Sequence, residues 1–118
     1  MATIFTKIIN GEIPAYKIDE NDKYLAFLDI NPIAMGHVLV IPKREVDYIF
    51  NLEDEELAGL MAFSKQISKA LIQAVPCKRI GVTVIGLEVP HTHIHLVPIN
   101  NVDDMNFGKP KLKLTNEQ

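Results

Sequence analysis

A chain of 118 residues, of which 47% are hydrophobic and 23% charged, suffices for one globular domain with a substantial core but not for two. Its formal net charge of −3 gives no general attraction to polyanions, so an extended nucleic acid is not an expected partner. The single cysteine, Cys77, excludes an intrachain disulfide, and no apolar run has the length of a membrane span or a signal-peptide core. We therefore expect a cytoplasmic protein without a membrane partner.

The chain begins with a pattern that predicts one or two short helical turns. Ile4, Phe5 and Ile8 recur at helical spacing, and Gly11 and Pro14 end the pattern. These apolar residues are expected to pack in the core.

Residues 16–18 and 24–30 predict two strands joined by a polar turn. Alternation along the second strand places Phe27 and Asp29 on one face of the hairpin. A lone aspartate at a strand end is more often a turn cap than a ligand contact.

The middle of the chain predicts a central strand, one long helix and a further strand. Residues 37–43 form a nearly continuous β-branched run, which is typical of a central strand. Asn51 is the predicted N-cap of the helix, because four acidic residues follow it and favour the first turn, and Pro76 ends the helix. Residues 78–86 predict a strand that forms a hairpin with the segment after it.

That next segment, VPHTHIHLVP at 89–98, carries His91, His93 and His95 at alternate positions. Alternation is the period of a strand, so the three imidazoles are predicted to project from one face at steps of about 6.6 Å. Two kinds of chemistry fit: a tri-histidine metal site, or an imidazole nucleophile that its neighbours orient and supply with protons. The nucleophile is favoured, because three successive ligands on one strand diverge from each other.

The motif HTHIHLV resembles the His-x-His-x-His-x-x signature of the histidine triad (HIT) family of nucleotide hydrolases and transferases. The segments at 4–14, 26–31 and 36–43 (IFTKIINGEIP, AFLDIN and GHVLVIPK) are similar to other characteristic segments of that family, in the same order. Within that family, the sequence most resembles the nucleoside phosphoramidase, or Hint-like, branch.

The resemblance implies an α+β fold: an antiparallel sheet of about five strands with the long helix packed across it. It also implies that the sheet continues across a homodimer and that neither a cofactor nor a metal is needed. We expect residues 1–118 to form a single domain, with a core at 1–98 and a C-terminal tail at 99–118.

The resemblance implies a role for each histidine. His93 would attack the α-phosphorus of a purine nucleoside monophosphate derivative, such as a phosphoramidate or a dinucleoside polyphosphate, and form a nucleotidyl-histidine intermediate. His91 and His95 would fix its tautomer, donate to phosphate oxygens and assist proton delivery, which calls for a pKa near neutrality. His37 and Glu88 are expected to support the triad.

The resemblance also implies a nucleoside pocket. Asp29 would accept hydrogen bonds from the ribose hydroxyls, which a carboxylate can do for two neighbouring hydroxyls at once. The expected pocket residues are Ile4, Phe5, Ile8, Phe27, Leu28, Asp29 and Ile30.

The loop before the triad departs from the family pattern. It is shortened to VIGLEVP at 84–90, and Glu88 occupies a position where a hydroxyl is usual. A carboxylate beside a phosphate is repulsive unless it is protonated, turned away or metal-bridged, and a further alternative is that Glu88 pairs with Lys43, Arg44 or a triad imidazolium. The departure leaves two alternatives open: a nucleotide-binding module with little turnover, and a metal-dependent phosphohydrolase.

A second departure concerns structural zinc, which some members of the family bind with cysteines. Thr3 and Thr6 occupy that region, and Glu45 replaces a histidine that often follows the IPK segment. We therefore expect no structural zinc, and a solvent-exposed Glu45.

Overall fold

The computed structural model describes residues 3–108 and 111–112, and within them the chain forms two α-helices and one five-stranded sheet. The helices are α1 (Ile4–Ile9) and α2 (Asp54–Ala74), and the strands are β1 (Lys17–Glu20), β2 (Tyr24–Leu28), β3 (Val38–Pro42), β4 (Arg79–Thr83) and β5 (Ile94–Ile99). All the strand pairs are antiparallel, in the order β1-β2-β3-β5-β4. The predicted α+β class and the five strands are confirmed.

The sheet is covered on both faces, which explains why β3 and β5 read as nearly continuous apolar runs. On one face α2 packs against the sheet, with Leu60 and Phe63 in the interface. On the other face α1 packs with Phe5 and Ile8. Because His95 lies directly opposite Leu39 in the ladder, and Leu39 belongs to the α1 face, the His95 side chain lies on that face too.

The histidine strand is shorter than predicted. Only Ile94–Ile99 joins the sheet, so His91 and His93 lie in the connection that follows β4. The reason is a different partner for the backbone: the N–H of Thr92 donates to the carbonyl of Val46 (2.7 Å) and not to a strand. The predicted hairpin between β4 and β5 is present, with a longer connection.

The long helix begins later than predicted. Asn51 belongs to a 3₁₀ turn, Ile49–Asn51, and Glu53 is the N-cap of α2. The carboxylate of Glu56 reaches back to accept from the N–H of Glu53 (3.4 Å), so the acidic first turn caps the helix itself.

The predicted tail contains no strand beyond Ile99 among the described residues; it forms a 3₁₀ turn at Val102–Met105. Residues 109–110 and 113–118 lie outside the described part of the chain. None of the helices described has the length and apolar character needed to span a membrane.

Candidate active site

All four histidines of the chain gather on the face of the sheet that α1 covers. Their exposed fractions are 1% for His37, 0% for His91, and 7% each for His93 and His95. The ring centroids of His93 and His95 lie 4.9 Å apart, and those of His95 and His37 lie 5.2 Å apart. Phe5 closes the group from α1, with its ring edge-on to His93 at 5.0 Å. The result is a continuous cluster of rings, almost out of contact with water.

His93 holds its proton in a defined place. Its Nδ1 lies 2.7 Å from the carbonyl oxygen of His91. A carbonyl can only accept, so Nδ1 must carry the proton and donate it. In the neutral ring the free electron pair is therefore on Nε2, which is the atom available for attack on an electrophile.

His37 and His95 form a relay that also fixes their protons. The backbone N–H of Ile33 donates to Nδ1 of His37 (3.2 Å), so the proton of neutral His37 is on Nε2. That Nε2 lies 2.9 Å from Nδ1 of His95 and donates to it. The proton of His95 is then on its own Nε2, so His95 offers an N–H donor beside His93.

The turn before β3 positions His37 for these hydrogen bonds. Gly36 has φ +82°, a left-handed conformation that suits glycine, and an added Cβ would lie 2.8 Å from Cγ2 of Val75. The backbone of His37 then donates to the carbonyl of Ala34 (3.2 Å), which closes the turn.

Burial keeps these rings neutral. It lowers the pKa of His37 to about 4, with smaller electrostatic contributions from the neighbouring Lys111 and His93. It lowers the pKa of His95 to about 3, helped by His93 and His37 and opposed by Asp29. The expected near-neutral pKa is therefore wrong for His95 in the ligand-free protein, because desolvation penalises the imidazolium.

His91 supports the site without reaching into it. Its Nε2 donates to the carbonyl of Pro42 (2.7 Å), and its Nδ1 lies 3.1 Å from the hydroxyl of Thr3. Burial lowers its pKa, opposed by the bond to Pro42. We expected His91 to donate to a phosphate, but both of its ring nitrogens already have partners inside the protein.

The expected nucleoside-pocket residues do not all lie together. Phe5 and Phe27 meet edge to face at 5.6 Å in the core under α1, and Ile8 is buried with them. Leu28 packs instead against the core under α2, since alternation turns it to the other face. Ile4 and Ile30 are exposed, at 46% and 74%.

Asp29 lies at the edge of the histidine cluster. One carboxylate oxygen accepts from the N–H of Asn31 (2.8 Å), so Asp29 does cap a turn. The other oxygen lies 3.6 Å from Nε2 of His37, and the side chain remains 18% exposed. Asp29 therefore keeps an acceptor at the mouth of the site.

Within the described residues, one set of side chains is close enough to share a metal ion: Asp29, His37 and His95, whose potential ligand atoms all lie within 4.8 Å of one another. The triad itself does not converge on one point. The bond from Ile33 to Nδ1 of His37 places the proton on Nε2, which is the ligand atom a metal would need. The arrangement thus fits a hydrogen-bonded relay better than a metal centre.

Two residues of the tail reach the site, and no sequence pattern predicted them. The ring of Phe107 lies 4.7 Å from that of His95, edge to face, and Nζ of Lys111 lies 5.5 Å from the Phe107 ring. The N–H of Leu112 donates to the carbonyl of Pro32 (2.8 Å), which ties this part of the tail down. The sequence feature that could have indicated this contact is Phe107, an aromatic residue in a polar tail.

Glu88 does not form the predicted ion pairs. Among the described residues, Lys43 pairs with Glu20 (2.9 Å) and Arg44 pairs with Glu56, whereas Glu88 is exposed. The two cations expected to neutralise Glu88 are thus committed elsewhere.

Glu45 is exposed, as predicted, and its carboxylate is also bonded to the start of α1. Its Oε1 accepts from the N–H of Thr3 (2.8 Å) and from the hydroxyl of Thr6 (2.6 Å). These bonds, that to Thr6 first, lower its pKa.

The chain is thus an antiparallel α+β domain with four buried histidines gathered on one face of its sheet. The profile described as the HIT domain matches residues 10–102. A HIT-like protein of Borreliella burgdorferi is 40% identical over 113 residues, covering 90% of this chain and 81% of that protein. An adenosine 5′-monophosphoramidase of Schizosaccharomyces pombe is 33% identical over 120 residues, covering 100% and 90%.

The structural comparison agrees with the sequence comparison. The crystal structure of a HIT family member from Bacillus subtilis has a TM-score of 0.82 at 30% identity, covering 99% of this chain and 84% of that one. The chain belongs to the HIT family.

The depressed pKa values predict a pH dependence of stability. An unfolded histidine binds a proton as the pH falls below 6.5, whereas folded His37 stays neutral until about pH 4. The free energy of unfolding should therefore fall as the pH is lowered from 6.5 towards 4, and urea denaturation at intervals of half a pH unit measures it.

The control for this dependence is His37→Gln, whose amide can still donate to His95 but does not titrate. The pH slope of stability should become shallower in this variant. An unchanged slope would show that His37 does not contribute.

Proposed function

We propose that this chain is a hydrolase that cleaves at the α-phosphorus of a purine nucleoside monophosphate derivative, a phosphoramidate or a dinucleoside polyphosphate, with His93 as the nucleophile. The observation that carries the proposal is the bond from Nδ1 of His93 to the carbonyl of His91, which leaves Nε2 unprotonated. Family membership, and the phosphoramidase among the relatives, support the substrate class.

In the first step Nε2 of His93 attacks the α-phosphorus. A P–N bond forms, the bond to the leaving group breaks, and the leaving group departs with that electron pair and takes up one proton from solvent. The ring of His93 becomes positively charged, and the carbonyl of His91 stabilises this charge through the Nδ1–H. In the second step water attacks phosphorus, the P–N bond breaks, one proton is released, and His93 is neutral again.

His95 is suited to holding the phosphate. Its Nε2–H is a fixed donor, prepared by the relay from His37. A bound phosphate would raise the pKa of His95 because opposite charge favours the imidazolium. His91 fixes the backbone that holds the His93 proton, and His37 orients His95.

The nucleoside would lie beyond the phosphate, with Phe5 and Phe27 providing an apolar wall and Asp29 the ribose acceptor. Phe5 already contacts the His93 ring edge-on, so it would join the wall to the reacting atom. No cofactor is needed for these steps.

A nucleotide-binding module with little turnover is the second candidate. It is favoured by Glu88, an exposed carboxylate just before the triad whose expected cation partners are paired with other residues. A negative charge near the phosphate would weaken binding of the more highly charged transition state.

We further propose a homodimer that extends the sheet. β4 is an edge strand, and exposed Val82, Val84, Ile85 and Leu87 lie on it or just after it, whereas the opposite edge, β1, is mostly polar. Sedimentation equilibrium at micromolar concentration should give twice the chain mass. A monomer there would contradict the proposal.

The His93→Ala variant should lose turnover by several orders of magnitude and keep most of its nucleotide affinity, because the ring forms the bond to phosphorus. The test is quenched single-turnover mixing with an AMP phosphoramidate or a diadenosine polyphosphate, with and without chelator, followed by intact mass analysis. A transient adenylyl adduct should form in the unmodified chain and not in the variant. Retained turnover in the variant would refute the mechanism, and chelator sensitivity would favour a metal-dependent hydrolase.

The Asp29→Asn variant should weaken binding of a nucleoside monophosphate much more than binding of inorganic phosphate. Asparagine can still accept from the N–H of Asn31, so the turn is kept while the carboxylate is lost. Asp22→Asn, at an exposed position in the turn before β2, is the matched control. Titration calorimetry with both ligands measures the difference, and equal losses for both would contradict ribose recognition by Asp29.

A further inference from the structure

We propose that Glu45 is a positioning residue whose carboxylate fixes the proton of the His93 nucleophile through a short chain of hydrogen bonds. The intermediate residues are Thr3, Thr6 and His91, and with Glu45 they are called the Glu45 cluster below. The proposal rests on the proposed function in one respect, that His93 is the reacting group.

The first link is between Glu45 and the start of α1. The carboxylate accepts from the N–H of Thr3 and from the hydroxyl of Thr6, at 2.8 and 2.6 Å. A carboxylate has no proton to give when ionised, so the Thr6 hydroxyl must point its hydrogen at Glu45.

The second link joins the two threonine hydroxyls to the ring of His91. The Thr6 hydroxyl oxygen lies 3.5 Å from Nδ1 of His91 and accepts from the Thr3 hydroxyl at 3.4 Å, a longer contact than the 3.1 Å between the Thr3 hydroxyl and Nδ1 of His91. Once Glu45 takes the Thr6 hydrogen, the Thr3 hydroxyl is the donor left for His91, at 3.1 Å. His91 is then held at Nδ1 by Thr3 and at Nε2 by the carbonyl of Pro42 (2.7 Å).

The third link is the main chain of His91. Its carbonyl oxygen accepts the Nδ1 proton of His93 (2.7 Å), so the orientation of residue 91 decides which nitrogen of His93 is free. A second route passes through α1: Phe5 packs edge-on against His93 at 5.0 Å and against His91 at 5.8 Å. The bond from Glu45 to Thr3 holds the end of the helix that carries Phe5.

Helix capping alone does not require Glu45. Thr3 is already the N-cap of α1, and its hydroxyl accepts from the N–H of Thr6 (3.1 Å). What the carboxylate adds is a fixed direction for the Thr6 hydroxyl proton, which leaves the Thr3 hydroxyl as the donor to His91.

The experiment compares Glu45→Ala, which removes the acceptor, with Glu45→Gln, which keeps an acceptor oxygen without charge. Glu12→Gln, an exposed carboxylate just after α1, is the matched control. The first readout is the ¹⁵N NMR signature of the His93 ring in the ligand-free chain at neutral pH, which reports the protonated nitrogen. The second is kcat and KM with an AMP phosphoramidate.

We expect Glu45→Ala to move His93 from the Nδ1–H form to a mixture of tautomers. We also expect kcat to fall on the order of tenfold, by analogy with the loss of groups that orient metal-bound imidazoles. KM should change less than kcat, because the proposed ribose acceptor Asp29 is untouched. Glu45→Gln should restore most of the His93 signature, and Glu12→Gln should leave both readouts unchanged.

A Glu45→Ala protein that is less stable but has the same His93 signature and the same kcat overturns the proposal. If Glu45→Ala does not fold, Thr3→Val decides with the same readouts, since it removes the hydroxyl that donates to His91 and keeps the side-chain shape. A retained His93 signature in Thr3→Val overturns the proposal, and its loss supports it. If the unmodified chain shows neither turnover nor adduct, the proposed function fails, but the NMR signature still decides whether Glu45 sets the tautomer.

Discussion

The hydrogen bond from Nδ1 of His93 to the carbonyl of His91 is the constraint on which the rest of the site depends. Its acceptor is a main-chain oxygen, which moves only if residue 91 moves, and the bond leaves Nε2 as the free nitrogen of the neutral His93 ring. For the carbonyl to stay in place, His91 must be fixed, and burial with partners on both ring nitrogens does this. Among the described residues no buried side-chain nitrogen or oxygen lacks a partner, as a low-dielectric site requires.

The second half of the site uses burial to keep imidazoles neutral. His37 receives a backbone N–H and passes its own proton towards His95, and this arrangement works only while both rings are uncharged. Phe107 packs against both rings and helps to exclude water, which is the main reason why their pKa values are low. In the function we propose, a bound phosphate would raise the pKa of His95, because its charge offsets the desolvation that keeps the ring neutral.

The site combines hydrogen bonds from the main chain with carboxylates near the surface. The main chain sets the tautomers of His93 and His37, while the partly exposed carboxylates of Asp29 and Glu45 lie at the margins. Asp29 combines a turn cap with a free acceptor at the mouth of the site. Glu45 connects the surface to His91 through two threonines, which makes an apparently solvated residue part of the catalytic geometry we propose.

The sequence by itself determined the features that repeat over short distances. Runs of β-branched and apolar residues between turn residues predicted the strands, helical spacing predicted α2, and the alternate histidines marked the candidate site, because each is a local relation between neighbouring residues. Only the tertiary structure decided what joins residues far apart in the chain, such as the bond between Thr3 and His91, 88 positions apart, or that between Thr3 and Glu45, 42 apart. It also ended the histidine strand early, because the backbone of Thr92 found a partner in another loop, and no local pattern encodes such a partner.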